Sequence, residues 1–128
     1  MPRFVLLEHH WNGVHWDFLL ERPDGAALRS WAIDARVVSG VELPARGLAD
    51  HRLVYLDYEG EVSGNRGEVR RVDRGEYEPL VWEDDRVNVR LAGAQLVGLV
   101  ELWAAGSEAG VKETPLPRNW NFRLGNFD

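Results

Sequence analysis

The sequence predicts an all-β protein: a compact antiparallel β-barrel of about seven or eight strands with little helix, built as one domain over residues 1–128. Short runs rich in Val, Leu and aromatic residues recur along the chain. Clusters of Gly, Pro, Asn or Asp divide them, among them RPDGA, SGNRG and EDD. Helix signals are weak, and no repeat or low-complexity segment interrupts the pattern.

In chain order the expected strands are FVLLEHH, VHWDFLLE, LRSWAI, LVYLDYEG, GEVRRVDRGEYE, VNVRLAG and QLVGLVELWAA. GSEAGVKETPLPR reads as a polar loop. NWNFRLGNF alternates enough for a last strand, with Trp120 and Phe122 anchoring the C-terminus.

Composition narrows the chemistry. With 45% hydrophobic and 28% charged residues the chain has the balance of a soluble globular protein, and six Trp supply core anchors. There is no Cys, so any metal must sit on His, Asp, Glu or backbone oxygen. No signal peptide or membrane span is visible, which makes the cytoplasm the expected location and a membrane an unexpected partner. A net charge of −6 argues against strong nonspecific nucleic-acid binding but allows a local basic groove. Lys112 is the only lysine; every other basic residue is Arg, the better bidentate phosphate partner. Arg66, Arg70, Arg71 and Arg74 fall close together. They fit such a groove, or equally a solvated, salt-bridged strand pair.

The chemistry concentrates in EHHWNGVHWDF. Three of the four His, namely His9, His10 and His15, lie here with Asp17. VHWDFLLE alternates, so Val14, Trp16, Phe18 and Leu20 face one way and His15, Asp17, Leu19 and Glu21 the other. Asn12-Gly13 signals a tight turn. A two-residue loop sets His10 opposite His15 and Glu8 opposite Asp17. A three-residue loop sets His9 opposite His15, with Gly13 in the left-handed position. In both registers two imidazoles and a carboxylate converge. Such a set suits Mn, Fe, Zn or Ni and leaves positions open for water or substrate. The ordinary alternative is a polar barrel rim. Downstream, LVYLDYEG read as a strand puts Leu53, Tyr55 and Asp57 on one face. His51 and the Tyr55 hydroxyl then both reach toward an anionic substrate.

The order EHHWNGVHWDFLLE, RSWAI, DHRLVYLDYEG, VDRGEYEP, VRLAG, LVGLVELW and NW resembles the 3′-phosphoesterase domain of bacterial DNA ligase D and its free-standing relatives, over about residues 3 to 124. The resemblance implies a compact β-barrel that uses a divalent metal, Mn²⁺ foremost and Zn²⁺ next. It implies removal of a terminal ribonucleoside and then a 3′-phosphate from DNA ends during end joining. It places metal ligands at His9, His15 and Asp17, which selects the three-residue loop, and a phosphate-contacting, catalytic pair at His51 and Tyr55. His10 falls outside the metal shell.

The sequence also departs from the family pattern. The Arg expected two residues after the metal-binding Asp is Leu19. Only Met1, Pro2 and Arg3 precede the first strand, where the family has an arm bearing Arg and acidic residues. The glycine-rich segment after DYEG is shortened to EVSGNRGEV. Arg46, Arg52, Arg66 and Arg70 are the candidates to rebuild the anion site. The expected function is a metal-dependent 3′-phosphoesterase, weakened or altered. Its expected partners are DNA or RNA-terminated DNA 3′ ends and, beyond them, a separate ligase or polymerase. The competing reading is a barrel that binds nucleic-acid ends or docks on repair proteins without cleaving.

Overall fold

The computed structural model describes residues 1–105 and 118–126. Nine strands form: β1 (Arg3–His10), β2 (Val14–Glu21), β3 (Leu28–Ile33), β4 (Glu42–His51), β5 (Gly60–Glu61), β6 (Glu68–Trp82), β7 (Arg86–Gly93), β8 (Val97–Ala104) and β9 (Arg118–Gly125). The neighbour order is β1-β2-β3-β4-β9-β8-β7-β6, all antiparallel, and β6 pairs back onto β1. Eight strands therefore close a barrel with no free edge in the ring, and the short β5 lies beside β6. One 3-10 turn, Leu53–Leu56, is the only helical element among the described residues, and no helix there is long and apolar enough to cross a membrane.

Closure depends on the long β6. Its first half pairs with β1 and its second with β7, and Gly75 opposes both Phe4 and Gly93. A Cβ on Gly75 would lie 2.2 Å from the Ala92 carbonyl oxygen, so only glycine lets three backbones meet there.

The barrel buries apolar side chains on both surfaces of one wall. Phe4, Leu6, Trp16, Phe18 and Leu20 point inward, where they pack with Trp31, Tyr77 and Phe122. Val5, Leu7, Leu19 and Leu28 point outward and are covered by Leu56, Val62 and Val69. This explains the unbroken FVLL run: a strand covered on both faces loses its alternation.

Two expectations change. LVYLDYEG is not a barrel strand. Its Leu53–Leu56 portion is the 3-10 turn, and only Gly60–Glu61 pairs as β5. With β1 to β3 already paired on both sides, this segment cannot add to the ring; it lies across the outer face and plugs Leu56 into the second apolar cluster. Leu53, Tyr55 and Asp57 therefore do not share a strand face.

The second change is a missing strand, β4 (Glu42–His51), in a segment with Pro44, Gly47 and no β-branched residue. Inward Leu43 and Ala45 fill the core. Gly47 leaves the space that Trp120 Nε1 uses, 2.7 Å from where a Cβ would stand. Besides these, β6 runs through Pro79, beside a register shift that tolerates proline. The final strand forms with Trp120 and Phe122 buried, as expected. The expected polar loop lies, up to Pro117, outside the described residues.

Candidate metal centre and its cavity

The first hairpin builds the site. The register pairs His9 with His15 and Leu7 with Asp17, and the loop is Trp11 to Gly13. Asn12 and Gly13 take positive φ of 53° and 107°, the left-handed backbone that Asn and Gly tolerate. The three-residue loop is thus the one formed. It places His9 on the outer face with His15 and Asp17, and turns His10 away to an exposed hydrogen bond with Glu8.

His9 Nδ1 lies 3.1 Å from His15 Nε2 and 3.1 Å from Asp17 Oδ2. His15 Nε2 lies 3.0 Å from Asp17 Oδ1. That carboxylate is 3% exposed, and its Oδ1 has no partner with hydrogen-bond geometry. The other ring nitrogen of His9, Nε2, is 2.8 Å from the Arg66 carbonyl. A carbonyl only accepts, so Nε2 carries the hydrogen and Nδ1 faces the cluster with its lone pair.

Acceptor atoms packed this tightly need a proton or a cation among them. The hydrogen bond with Asp17, opposed by burial and helped by Arg66, raises the His9 pKa above the usual histidine value. Burial works against the Asp17 charge, but the adjacent His15 and His9 rings outweigh it and lower the carboxyl pKa. The spacing also suits an ion. Ligands at right angles around a cation with bonds of about 2.1 Å stand about 3.0 Å apart. His9, His15 and Asp17 are the group among the described residues with this potential. The bond from His9 to a backbone carbonyl is the outer support that fixes a metal-binding ring.

The cluster lies in a cavity of about 630 Å³, lined in addition by Trp11, Arg46, His51, Arg52, Tyr55 and Arg66. His51 ends β4, and burial lowers its pKa, only partly offset by the Asp17 charge, so the ring is neutral at pH 7. Tyr55 meets it edge-on at 5.7 Å. The 3-10 turn, rather than a strand, thus carries Tyr55 to His51.

These residues sit in the barrel wall of a known family. The family model for the DNA Ligase D 3′-phosphoesterase domain matches residues 7–104. The chain belongs to that family. It is 35% identical over 104 residues to the multifunctional non-homologous end joining protein LigD of Mycobacterium bovis, covering 74% of this chain and 13% of that protein. The same identity and coverage hold for the multifunctional non-homologous end joining DNA repair protein LigD of one Mycobacterium tuberculosis strain, and another gives 34% over 104 residues. The chain therefore corresponds to a small part of these relatives.

Within this 3′-phosphoesterase-type barrel the arginine candidates separate. Arg52 lines the cavity, lies over the Tyr55 ring at 5.9 Å, and has no carboxylate partner among the described residues. Arg46 lines it but is paired with Asp34 at 3.0 Å. Arg66 lines it while its Nε donates to the Ser63 carbonyl at 2.7 Å. Arg70 is the exception. Opposite Glu8 on β1, it lies with Glu8, Trp16 and Arg36 around a different groove and does not reach the His9 cluster. Arg71 and Arg74 pair with Glu59 and Asp57, the salt-bridged alternative for this window.

Leu19, in place of the expected Arg, is fully buried in the outer apolar cluster. Sequence reasoning missed two contributors. The Arg66 carbonyl is backbone and leaves no side-chain signal. Trp11, counted only as loop, lies 43% exposed at the cavity.

Proposed function

We propose that this chain is a divalent-metal-dependent 3′-phosphoesterase acting on nucleic-acid 3′ ends in DNA end joining. The observation that carries the reading is the convergence of His9 Nδ1, His15 Nε2 and the Asp17 carboxylate in the lining of a cavity of about 630 Å³. These three residues would hold the ion, with Mn²⁺ the foremost candidate and Zn²⁺ next. When bound, the ion polarises a phosphoryl oxygen and lowers the pKa of a coordinated water.

The protein groups supply the rest. Arg66 holds His9 in its ligating tautomer through the backbone carbonyl. Neutral His51 hydrogen-bonds a phosphoryl oxygen through its ring N–H. The Tyr55 hydroxyl positions the phosphate. Arg52 offers a cation with no acidic competitor among the described residues, and Arg46 and Arg66 add positive potential. Because Leu19 sends an apolar chain into the outer cluster, no guanidinium comes from that position, and turnover should be slow. DNA or RNA-terminated DNA 3′ ends are the proposed substrate, delivered to or from a separate ligase or polymerase.

Phosphate release from a 3′-phosphorylated primer in Mn²⁺, at fixed salt, tests this reading. Wild type should release phosphate and His15→Ala should not. Equal rates would refute the role of His15 in turnover, and no release from either in Mn²⁺ or Zn²⁺ would leave the barrel as a non-cleaving end binder.

A further inference from the structure

Trp11 sits at the tip of the β1–β2 hairpin, away from the barrel core, with 43% of its surface exposed. Its indole lies on the His9 imidazole, ring centres 6.0 Å apart and planes 23° from parallel. It therefore shares the cavity wall with the metal cluster, Arg52 and Tyr55. A large aromatic ring left in water beside a charged, anion-seeking site is not explained by packing of the core.

The placement of that ring is built into the backbone. Gly67, at φ +75°, lets the loop before β6 press against the hairpin. A Cβ there would stand 1.8 Å from the His10 carbonyl oxygen and 2.9 Å from Trp11 Cβ. The same loop delivers the Arg66 carbonyl to His9 Nε2. Ring, ligand and carbonyl are thus fixed in one arrangement. Asn12 at φ 53° completes the tight turn at the hairpin tip.

A flat aromatic surface one imidazole away from a phosphoryl site matches one chemical feature of a nucleotide end, its base. Aromatic stacking of a base contributes about 1–3 kcal/mol and does not depend on base identity. We propose that Trp11 is a positioning platform on which the 3′-terminal nucleobase stacks while its phosphate reaches the His9–His15–Asp17 cluster. This rests on the phosphoesterase reading and deepens it. A base stacked on Trp11 is removed from its neighbours in a duplex, so unpaired or frayed 3′ ends are preferred over fully paired ones.

The test uses the whole chain and a 3′-phosphorylated oligonucleotide ending in a 2-aminopurine nucleotide. A second oligonucleotide ends in an abasic residue. Wild type should quench the terminal 2-aminopurine and bind the base-bearing end about tenfold or more tighter than the abasic end. Trp11→Ala should lose the quench and most of that preference, and Trp11→Phe should keep the preference. A terminal mismatch should raise the wild-type rate relative to a paired end and leave a smaller gain in Trp11→Ala. Unchanged base preference in Trp11→Ala, or equal wild-type affinity for both ends, would overturn the platform. Phosphate release without quenching overturns it alone. Quenching and base preference without phosphate release support it and overturn the catalytic reading instead.

Discussion

The Nε2–H of His9 donates to the Arg66 carbonyl at 2.8 Å, and this one bond settles which nitrogen of the ring faces Asp17. The carbonyl belongs to a loop pinned by Gly67, so the His9–His15–Asp17 cluster depends on a residue outside it.

Gly67→Ala should therefore damage the site from outside it. The new Cβ would collide with the His10 carbonyl, and φ +75° is strained for any L side chain. We expect a loss of stability of about 2–4 kcal/mol and weaker Mn²⁺ binding, read by thermal unfolding and calorimetry. Unchanged Mn²⁺ affinity would show that the loop does not orient His9.

At the proposed metal site, protons and the ion would compete for His9. Its pKa is raised in the metal-free protein, so its contribution to stability is complete below pH 6.5 and is lost as pH climbs through the raised value. A bound ion would replace that proton. Mn²⁺ affinity should fall as pH drops below the His9 pKa, and binding near neutrality should release protons. Calorimetry in buffers of different ionisation heat measures the release. Binding that ignores both pH and buffer would contradict it.

Asp17 has the opposite sign. Its carboxyl pKa is lowered, so its contribution is present above pH 3.8 and lost as pH falls through the folded value. Below pH 3.8 the metal-free wild type should lose stability relative to Asp17→Asn. Parallel acid-unfolding curves for the two proteins would refute this.

How much of this was legible beforehand depends on the residue. The barrel was, because short Val- and aromatic-rich runs between turn residues leave few other architectures. β4 was not: Pro44, Ala45 and Gly47 have little strand propensity, and pairing with β3 and β9 imposes the conformation. The choice between His9 and His10 looked open, since Asn12-Gly13 suits both loops. One physical signal could have decided it. The two-residue register sets Glu8 directly across from Asp17, two like charges on a face that is largely buried. Tyr55 was brought to His51 by a turn instead of a strand because a closed ring offers no edge to join.

Leu19 gives a stability prediction with a functional edge. Truncation to Ala should cost about 2–5 kcal/mol, because the side chain is fully enclosed by Val5, Leu7, Leu28 and Leu56. Leu19→Arg should also destabilise the barrel, through a buried charge, rather than simply restore the arginine of the family pattern. Urea unfolding distinguishes the outcomes; a stable, faster Leu19→Arg enzyme would show that this wall opens to the cavity.

The arginines should differ in substrate affinity. Arg52→Ala should raise KM for a 3′-phosphorylated end more than Arg46→Ala, whose guanidinium is already held by Asp34. Arg70→Ala, on the other groove, should change it least. KM values at one fixed salt concentration test the ranking. An Arg70 effect equal to that of Arg52 would overturn it.

Mn²⁺ titration into chelator-stripped protein tests the metal centre most directly. Wild type and His10→Ala should each take up one ion per chain, while Asp17→Asn and His15→Ala take up none at the same concentration. A wild type that binds no Mn²⁺ or Zn²⁺, or an Asp17→Asn protein that binds as tightly as wild type, would contradict the assignment of His9, His15 and Asp17 as its ligands.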